Sequence, residues 1–172
     1  MDIQFRPLTI EDNAFIFDLL TKDETSKYQS WQFETMSEIE DYMKNIRAME
    51  DSIYYRVIED ANQYPIGVCS LTVNKKYNKG EIGYMIHPYY WGKGYATKAA
   101  QYLITYGFIN LKLNRIFAVT DTRNDGSIRV LEKVGLKREG LLRQDKIVRG
   151  AYRDSYMYSI LKEELRKKNE AY

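Results

Sequence analysis

The sequence predicts an α+β domain in which about four helices flank a mostly antiparallel, mixed sheet of about six or seven strands. Three features support this class: two helix-start signatures before residue 40, several β-branched and aromatic segments between residues 52 and 87, and a strand–helix–strand unit over residues 81–120. Such a unit joins parallel strands, so we expect one parallel βαβ crossover. No repeat or linker divides the chain, and we predict a single domain over residues 1–172.

The N-terminal part of the chain predicts one short strand and two helices. Residues 3–7 favour the strand, and residues 9–12 form a capping box, a signature of a helix start. Apolar residues accompany it at helical spacing: Ile10, Ala14, Phe17 and Leu20. A second capping box, residues 35–38, introduces another apolar series: Ile39, Met43, Ile46 and Met49.

The remaining elements follow from β-rich segments separated by turns. Residues 52–59, 66–73 and 81–87 predict three antiparallel strands. From Trp91 to about Asn110 the spacing of small and apolar residues becomes helical. A buried strand over 115–120, a short helix over 127–134 ended by Gly135, strands over 136–144 and 151–161, and a charged helical tail over 162–172 complete the prediction.

Composition limits the functional classes. A net charge of +2 comes from 26 basic and 24 acidic residues interspersed along the chain, which argues against a dedicated nucleic-acid surface. No apolar run approaches the roughly 20 residues that span a bilayer, and no signal-peptide core is present, so we expect a cytoplasmic protein without a membrane partner. The single cysteine, Cys69, cannot form an internal disulfide and is expected to pack within a strand. Metal-ligand spacing is absent, so no metal is expected.

Residues 81–98 are the most informative segment, because a strand passes a proline and two glycines before a helix starts. The first N–H groups of a helix lack carbonyl partners and the helix dipole is positive there, which suits a diphosphate. Gly92, Gly94 and Ala96 keep side chains away from the face that an anion would approach. The alternative is an ordinary strand-to-helix turn in which the glycines allow tight packing.

Two common phosphate-binding motifs do not fit this loop. A dinucleotide fingerprint needs a third glycine where Thr97 stands and an acidic residue about 20 residues further on, where residues 113–118 offer none. A nucleotide-triphosphate loop needs four residues between its glycines, whereas only Lys93 separates Gly92 from Gly94. Both alternatives are therefore disfavoured.

Five segments taken together carry a family resemblance: Arg6-Pro-Leu, Glu81-Ile-Gly-Tyr, Tyr90-Trp-Gly-Lys-Gly-Tyr-Ala-Thr, the block from Asn124 to Gly135, and Arg153-Asp-Ser-Tyr-Met-Tyr-Ser-Ile-Leu. In this order and spacing they resemble the GNAT superfamily of acetyl-CoA-dependent N-acetyltransferases. The subgroup they most resemble is the RimJ/RimL type, the ribosomal-protein N-terminal alanine acetyltransferases. The resemblance spans nearly the whole chain.

The resemblance implies the three-layer α/β fold of the GNAT superfamily, acetyl-CoA as the bound coenzyme, and an architecture compatible with a homodimer. Backbone groups of the glycine loop would hold the pyrophosphate, and the preceding strand would pair with the pantetheine arm. The residues thus assigned to coenzyme binding are Tyr84, Met85, Ile86, Trp91, Gly92, Lys93, Gly94, Tyr95, Ala96, Thr97, Asn124 and Ser127.

Acetyl transfer to an amine needs a neutral amine, a donor for the developing oxyanion and a proton for the departing thiolate. Many superfamily members supply that proton from a tyrosine whose position here is Leu131. The RimJ/RimL type has a serine at the position of Ser127, which we take as the candidate acid; the alternative is that Ser127 only caps its helix.

Glu81 is the candidate base, because it opens the strand that approaches the acetyl group and could deprotonate the amine through water. The alternative is a surface or structural carboxylate. Subgroup enzymes with an assigned glutamate base place it near residues 145–146, where Lys146 occupies the matching position and Asp145 is only a weak substitute. His87 precedes a proline and is expected to be structural or exposed.

The predicted activity is direct transfer of the acetyl group of acetyl-CoA to a primary amine, with a protein N-terminus as the favoured acceptor. Aromatic candidates for the acceptor pocket are Tyr28, Trp31, Tyr84 and Tyr152, with core packing as the alternative for each. Two other functions stay open: acetylation of a small amine such as a polyamine, amino acid or aminoglycoside, and a non-catalytic coenzyme A-binding or ribosome-associated module.

Overall fold

A computed structural model describes residues 2–165 of the chain. Its strands are β1 (Gln4–Pro7), β2 (Ile53–Glu59), β3 (Pro65–Asn74), β4 (Lys79–Ile86), β5 (Arg115–Asp121), β6 (Lys137–Val148) and β7 (Ala151–Leu161). They form one seven-stranded sheet in the order β1-β2-β3-β4-β5-β7-β6. All neighbours are antiparallel except β4 and β5, which are parallel. The predicted α+β class and its single parallel crossover are confirmed.

The helices are α1 (Asn13–Thr21), α2 (Asp23–Ser26), α3 (Met36–Ala48), α4 (Tyr95–Ile109) and α5 (Asp125–Lys133), with short 3-10 helices at Ile10–Asp12 and Pro88–Tyr90. In the part of the chain from residue 2 to residue 165, no helix is long and apolar enough to cross a membrane. Residues 162–165 are helical, and the rest of the predicted charged tail lies outside the described residues.

The sheet carries an apolar core on each face. On one face α4 and α5 cover a large cluster that includes Leu71, Ile116 and Tyr158. On the other face α1 and α3 cover a smaller cluster that includes Val68. Because side chains alternate along a strand, neighbouring residues of β4 contribute to opposite cores. Tyr84 packs on the α4 side, and Met85 packs on the α1/α3 side. This two-sided arrangement is compatible with the single domain predicted from the sequence.

The second capping box forms as predicted. Thr35 accepts a hydrogen bond from the backbone N–H of Glu38, and Glu38 Oε2 accepts one from the backbone N–H of Thr35 at 2.9 Å. These bonds satisfy donors that the first helical turn leaves unpaired. The helix then buries Ile39 and Met43 completely against α1, and Ile46 is partly buried, which confirms these three positions of the predicted apolar face. The fourth, Met49, follows the end of the helix and is 49% exposed.

The apolar face predicted for the first helix is displaced. The capping box around Thr9 leads into the 3-10 helix, and α1 starts only at Asn13. Since a 3-10 turn advances by about three residues rather than 3.6, the faces rotate relative to a continuous α-helix. The apolar side chains buried on α1 are Ile16, Leu19 and Leu20, whereas Ile10, which was predicted to belong to this face, is 71% exposed.

Two predicted boundaries also differ from the structure. Helix α4 starts at Tyr95 rather than at Trp91, because Gly92 and Gly94 adopt positive φ angles that a helix cannot contain. Strand β6 continues to Val148 rather than ending at Gln144. Its pairing with β7 is interrupted between Leu142 and Lys146, where Gln144 has a φ of 51°, and the strand resumes beyond this irregularity.

Many of the 16 tyrosines serve packing. Phe5 stacks on Tyr102 with ring centroids 3.8 Å apart, and Tyr54 stacks on Tyr106 at 3.9 Å. The hydroxyls of Tyr54 and Tyr102 are hydrogen-bonded, and the Arg56 guanidinium lies 3.7 Å from the centre of the Tyr54 ring. These contacts join α4 to β1 and β2.

The close approach of β4 to Gly67 predicts a measurable effect of this residue on stability. A Cβ added there would lie 2.4 Å from the backbone oxygen of Met85, so β3 and β4 would have to separate. We expect Gly67→Ala to reduce the free energy of unfolding by about 1–3 kcal/mol, measured by urea denaturation. Gly140→Ala is the matched control, because nothing lies within 4 Å of the added atom, and it should stay within about 1 kcal/mol of the original protein. Equal effects of the two changes would contradict this account.

Candidate active site

An opening in the sheet is the central feature of the site. Strands β4 and β5 pair only from Lys79 to Glu81, against Arg115 to Phe117. Beyond Glu81, β4 stays paired with β3, and β5 stays paired with β7 as far as Asp121. Between the two separated strands, those backbone groups of residues 82–86 that face β5 lack a ladder partner there, although the oxygen of Ile86 accepts from a side chain. An extended ligand with amide groups could pair with them.

The glycine loop lies at the end of β4 that borders this opening. Trp91 Nε1 donates a hydrogen bond of 2.6 Å to the backbone oxygen of Ile86, which ties the loop to the strand. Gly92 and Gly94 have φ angles of 76° and 79°, a region that favours glycine. A Cβ added at either position would meet nothing within 4 Å. The alternative that these glycines allow tight packing is therefore wrong; they permit the turn and leave its outer side open.

The start of α4 fits the diphosphate of coenzyme A. Gly94 is the residue before the helix, and no side chain caps it. The backbone N–H groups of Tyr95, Ala96 and Thr97 lie in the first turn, where no helical carbonyl can accept from them. The Lys93 ammonium lies beside the loop, 5.4 Å from the centre of the Tyr90 ring. The Lys93 charge, the unpaired N–H donors of the first turn and the open space beside the glycines therefore lie together at the start of α4.

Helix α5 starts with an asparagine cap. Asn124 Oδ1 accepts a hydrogen bond of 3.1 Å from the backbone N–H of Ser127. The alternative that Ser127 caps the helix is wrong, because Asn124 is the capping residue and Ser127 is the third residue of the helix. Leu131, at the position of the superfamily tyrosine, is fully buried in the core on the α4 side.

Tyr84 and Ser127 meet across the site. Their hydroxyl oxygens are 3.1 Å apart, and Tyr84 Oη also lies 3.4 Å from the backbone oxygen of Ser127. Burial raises the pKa of Tyr84 to about 12, so its hydroxyl stays protonated near neutral pH. Both residues were candidates from the sequence, but their pairing was not foreseen because 43 residues separate them.

Glu81 lies where the two strands begin to separate, next to Phe117 of β5. The Glu81 side chain keeps an exposed surface, yet surrounding protein raises its pKa above the ordinary glutamate value. The negative charge of Asp145 raises that pKa further, whereas Lys79 acts in the opposite direction. A carboxylate whose pKa is shifted towards neutrality suits acid–base work better than an ordinary one.

A cationic group lies on the α1/α3 side of the sheet near Tyr28. The Arg123 guanidinium is 5.4 Å from the centre of the Tyr28 ring, and Lys146 Nζ donates a 3.1 Å hydrogen bond to the backbone oxygen of Tyr28. Arg123 forms an ion pair with buried Asp121. Although burial acts to raise the pKa of Asp121, the hydrogen bonds from Arg123 hold it below its ordinary value. The sequence did not predict a role for Arg123 or Asp121 in the site. The only signal for them is their position at the end of a strand and in the turn that follows it.

The four aromatic candidates for acceptor binding do not surround one pocket. Trp31 packs beside Phe33 against the α1/α3 core, with ring centroids 5.4 Å apart. Tyr152 is 65% exposed on β7, opposite Ile147 of β6. Tyr84 packs on the α4 side. Only Tyr28 contacts the cationic group, and a role in acceptor binding stays a prediction for all four.

The other reactive side chains have structural roles. Cys69 is 1% exposed, and burial raises the pKa of its thiol to about 12, as expected for a packed strand residue. His87 Nε2 lies 3.0 Å from Asp18 Oδ2, and its Nδ1 accepts from the backbone N–H of Tyr89. Over residues 2–165 there is no group of three or more His, Cys, Asp or Glu side chains that could hold a metal ion.

An uncapped helix start, an opening between parallel strands and acid–base groups beside it together define a coenzyme A-dependent acyltransferase. Residues 2–137 match the family model described as "Acetyltransferase (GNAT) domain". The chain therefore belongs to the GNAT acetyltransferases.

Similar proteins agree with this assignment. The chain is 32% identical over 167 residues to the uncharacterized N-acetyltransferase p20 of Bacillus licheniformis, covering 94% of each chain. It is 29% identical to the spermidine N(1)-acetyltransferase of Escherichia coli, covering 89% of this chain and 82% of that protein. The crystal structure of spermidine N-acetyltransferase from Vibrio cholerae in complex with CoA and spermine superposes with a TM-score of 0.85 at 26% identity, covering 94% and 96% of the two chains. The protein is an acetyl-CoA-dependent N-acetyltransferase.

The proposed diphosphate cradle can be tested at Gly94. Valine at a φ of 79° is strained, and its side chain would stand in the open space of the loop. We expect Gly94→Val to weaken coenzyme A binding by about tenfold or more, measured by isothermal titration calorimetry. Gly150→Val is the matched control, because Gly150 has a φ of 76° and open space but lies in the turn between β6 and β7. Unchanged affinity in the Gly94 variant would show that the coenzyme binds elsewhere.

Proposed function

We propose that the protein acetylates an α-amine, as found at a protein N-terminus, by direct transfer from acetyl-CoA. The observation that carries this proposal is the set of cationic donors on the α1/α3 side of the sheet. An α-amine is followed by a carbonyl or carboxylate, whose oxygen can accept from such donors. A polyamine offers only further positive charge.

Arg153 adds an unused donor to this surface. It pairs with Lys146 across β6 and β7, and directly opposite residues of two strands place their side chains on the same face. Among residues 2–165, Arg153 Nε is buried and has no hydrogen-bond partner. Leaving a buried donor unpaired costs about 1–3 kcal/mol, so an acceptor oxygen on the substrate would be favoured here.

The weakness of the available base points to the same acceptor. An α-amine has a pKa of about 7.7–8.0, whereas an alkyl amine such as that of lysine has one of about 10.4. An α-amine is therefore partly neutral at physiological pH and needs little help from a base. Lys146 replaces the glutamate base of related enzymes, and exposed Glu81 is left to accept the proton through water. Such a site suits the amine whose ammonium form has the lower pKa, which is the α-amine.

The side chains then divide the chemistry between the two faces of the sheet. Glu81 accepts the proton of the attacking amine, and the donors near Tyr28 orient its carbonyl group. On the other face, Ser127 donates a hydrogen bond to the sulfur as the thioester bond breaks, while Asn124 holds the start of α5. This division supports the RimJ/RimL-type assignment inferred from the sequence motifs. A cytoplasmic location and a homodimer stay predictions.

A small polyamine is the second candidate acceptor. It is favoured by the similarity to spermidine N-acetyltransferases, and the adjacent carboxylates of Glu81 and Asp145 could bind an ammonium group. The cations at Arg123, Lys146 and Arg153 oppose this alternative, because like charges in the same site repel.

Thiol release from acetyl-CoA across a panel of amines tests the acceptor. We expect turnover with peptides that carry a free N-terminus and little with spermidine. The same peptides with a blocked N-terminus and a lysine side chain are the control, since they offer only an alkyl amine. Turnover with spermidine alone would make the polyamine the acceptor, and tight coenzyme binding without any turnover would indicate a non-catalytic binding module.

Charge reversal at Lys146 tests the cationic group directly. Lys146→Glu should lower kcat/KM for the peptide by about tenfold or more and raise it for spermidine, because a charged donor becomes a carboxylate. Lys75→Glu, in the exposed turn between β3 and β4, is the matched control and should change neither value. A uniform loss with both amines would contradict a role in acceptor choice.

The pH dependence of kcat/KM tests Glu81. A base works only when ionised, and a raised pKa means that protonation, and with it the loss of activity, sets in at a higher pH than for an ordinary glutamate. The α-amine must itself be neutral, so it contributes one acidic limb near its own pKa of about 7.7–8.0. We expect Glu81 to add a separate inflection, which lies above the ordinary glutamate pKa. Glu81→Gln should lower kcat/KM at neutral pH by about tenfold or more and remove the Glu81 inflection, while the limb of the amine stays. Glu50→Gln, an exposed control, should leave the profile unchanged. A profile that keeps both inflections in Glu81→Gln would assign the second one to another group.

A further inference from the structure

We propose that Tyr84 is a positioning residue that directs the Ser127 hydroxyl hydrogen towards the sulfur of the bound thioester. The proposal rests on the role given above to Ser127 and assigns a function to a tyrosine on β4 rather than on α5. It accounts for catalysis in a chain whose buried Leu131 offers no hydroxyl at the superfamily position.

The geometry leaves Tyr84 few hydrogen-bond partners. Its hydroxyl lies between two oxygens of Ser127, with Oγ at 3.1 Å and the backbone oxygen at 3.4 Å. A phenol carries a single hydrogen, and so does a serine hydroxyl. When Tyr84 donates to Ser127 Oγ, the serine hydrogen must point away from the tyrosine. In the proposed arrangement this hydrogen is directed towards the opening between β4 and β5, where the thioester sulfur would lie.

Tyr84 can hold this arrangement throughout the reaction. Because the partly buried phenol stays protonated near neutral pH, it keeps a hydrogen to donate and does not act as a base. Donation to Oγ also polarises the serine and strengthens the hydrogen bond that Ser127 itself gives. A partly buried pair of this kind is screened less by water than a fully exposed one.

The chemical step balances without a proton leaving Tyr84. The amine nitrogen forms a bond to the acetyl carbon, the carbon–sulfur bond breaks, and its electron pair goes to sulfur. The sulfur receives a hydrogen bond from Ser127 as charge develops, and the amine proton leaves through Glu81 and water. The products are the acetylated amine and the thiolate of coenzyme A, which takes up a proton from water to become the free thiol.

A double-mutant cycle on kcat tests the proposal. Tyr84→Phe removes the hydroxyl and keeps the ring, and we expect kcat to fall about three- to tenfold while KM for acetyl-CoA stays unchanged. Ser127→Ala should lower kcat by at least the same factor. In Ser127→Ala the backbone oxygen of residue 127 remains, so a purely structural bond from Tyr84 would persist. We therefore expect Tyr84→Phe to change kcat less than about twofold in that background.

The control variant is Tyr77→Phe, which removes an exposed hydroxyl in the turn between β3 and β4. Equal losses from Tyr84→Phe in both backgrounds would overturn the proposal, as would an unchanged kcat in Tyr84→Phe or in Ser127→Ala. If Tyr84→Phe does not fold, a fluorinated tyrosine at position 84, which is a stronger donor, replaces it. This substitution should change kcat only while Ser127 is present, and equal kcat values would overturn the proposal.

The cycle is run with the acceptor that the amine panel identifies, which separates this proposal from the choice of acceptor. Turnover with spermidine alone would refute the α-amine acceptor and leave the test of Tyr84 intact. Absence of turnover with every acceptor would overturn both proposals.

Discussion

The separation of β4 from β5 after Glu81 is the constraint on which the rest of the site depends. Each strand keeps its outer neighbour, so the sheet divides into a half built on β3 and a half built on β7. The division exposes backbone groups that a continuous sheet would pair, and it opens a passage between the two faces. Helix α4 starts at one side of the passage and α5 at the other. An extended coenzyme can therefore place its diphosphate at a helix start and its thioester between the strands.

In the proposed mechanism the sheet separates two kinds of chemistry, because side chains alternate along β4. Tyr84 points towards α5, where hydroxyl groups would serve the departing sulfur. Glu81 points towards the α1/α3 side, where carboxylates and cations would meet the amine. The proposed acid and base thus lie on opposite faces of the sheet. On the proposed acceptor surface Asp121 is paired with Arg123 and Lys146 donates to the backbone oxygen of Tyr28, whereas Arg153 Nε has no partner among residues 2–165.

Local interactions made part of the structure predictable. The capping box at Thr35 and the spacing of Ile39 and Met43 act within one helix, so the sequence contains everything that decides α3. The glycine loop was likewise readable, because the need for positive φ angles depends on the residue type. The prediction was wrong where an adjoining element sets the geometry of a helix or strand. The buried face of α1 is rotated by the preceding 3-10 turn, and β6 extends past Gln144 because it pairs with β7.

By itself the sequence determined the α+β class and the positive φ angles of the glycine loop, and it offered Ser127 and Glu81 as candidates, because residue types and their spacing along the chain carry this information. Only the tertiary structure decided that Asn124, not Ser127, caps α5, and that Tyr84 meets Ser127 from a distant strand. It also brought Arg123, Lys146 and Tyr28 together from three separate segments. The physical reason is that strand pairing sets these contacts, and no local pattern encodes which strands will become neighbours.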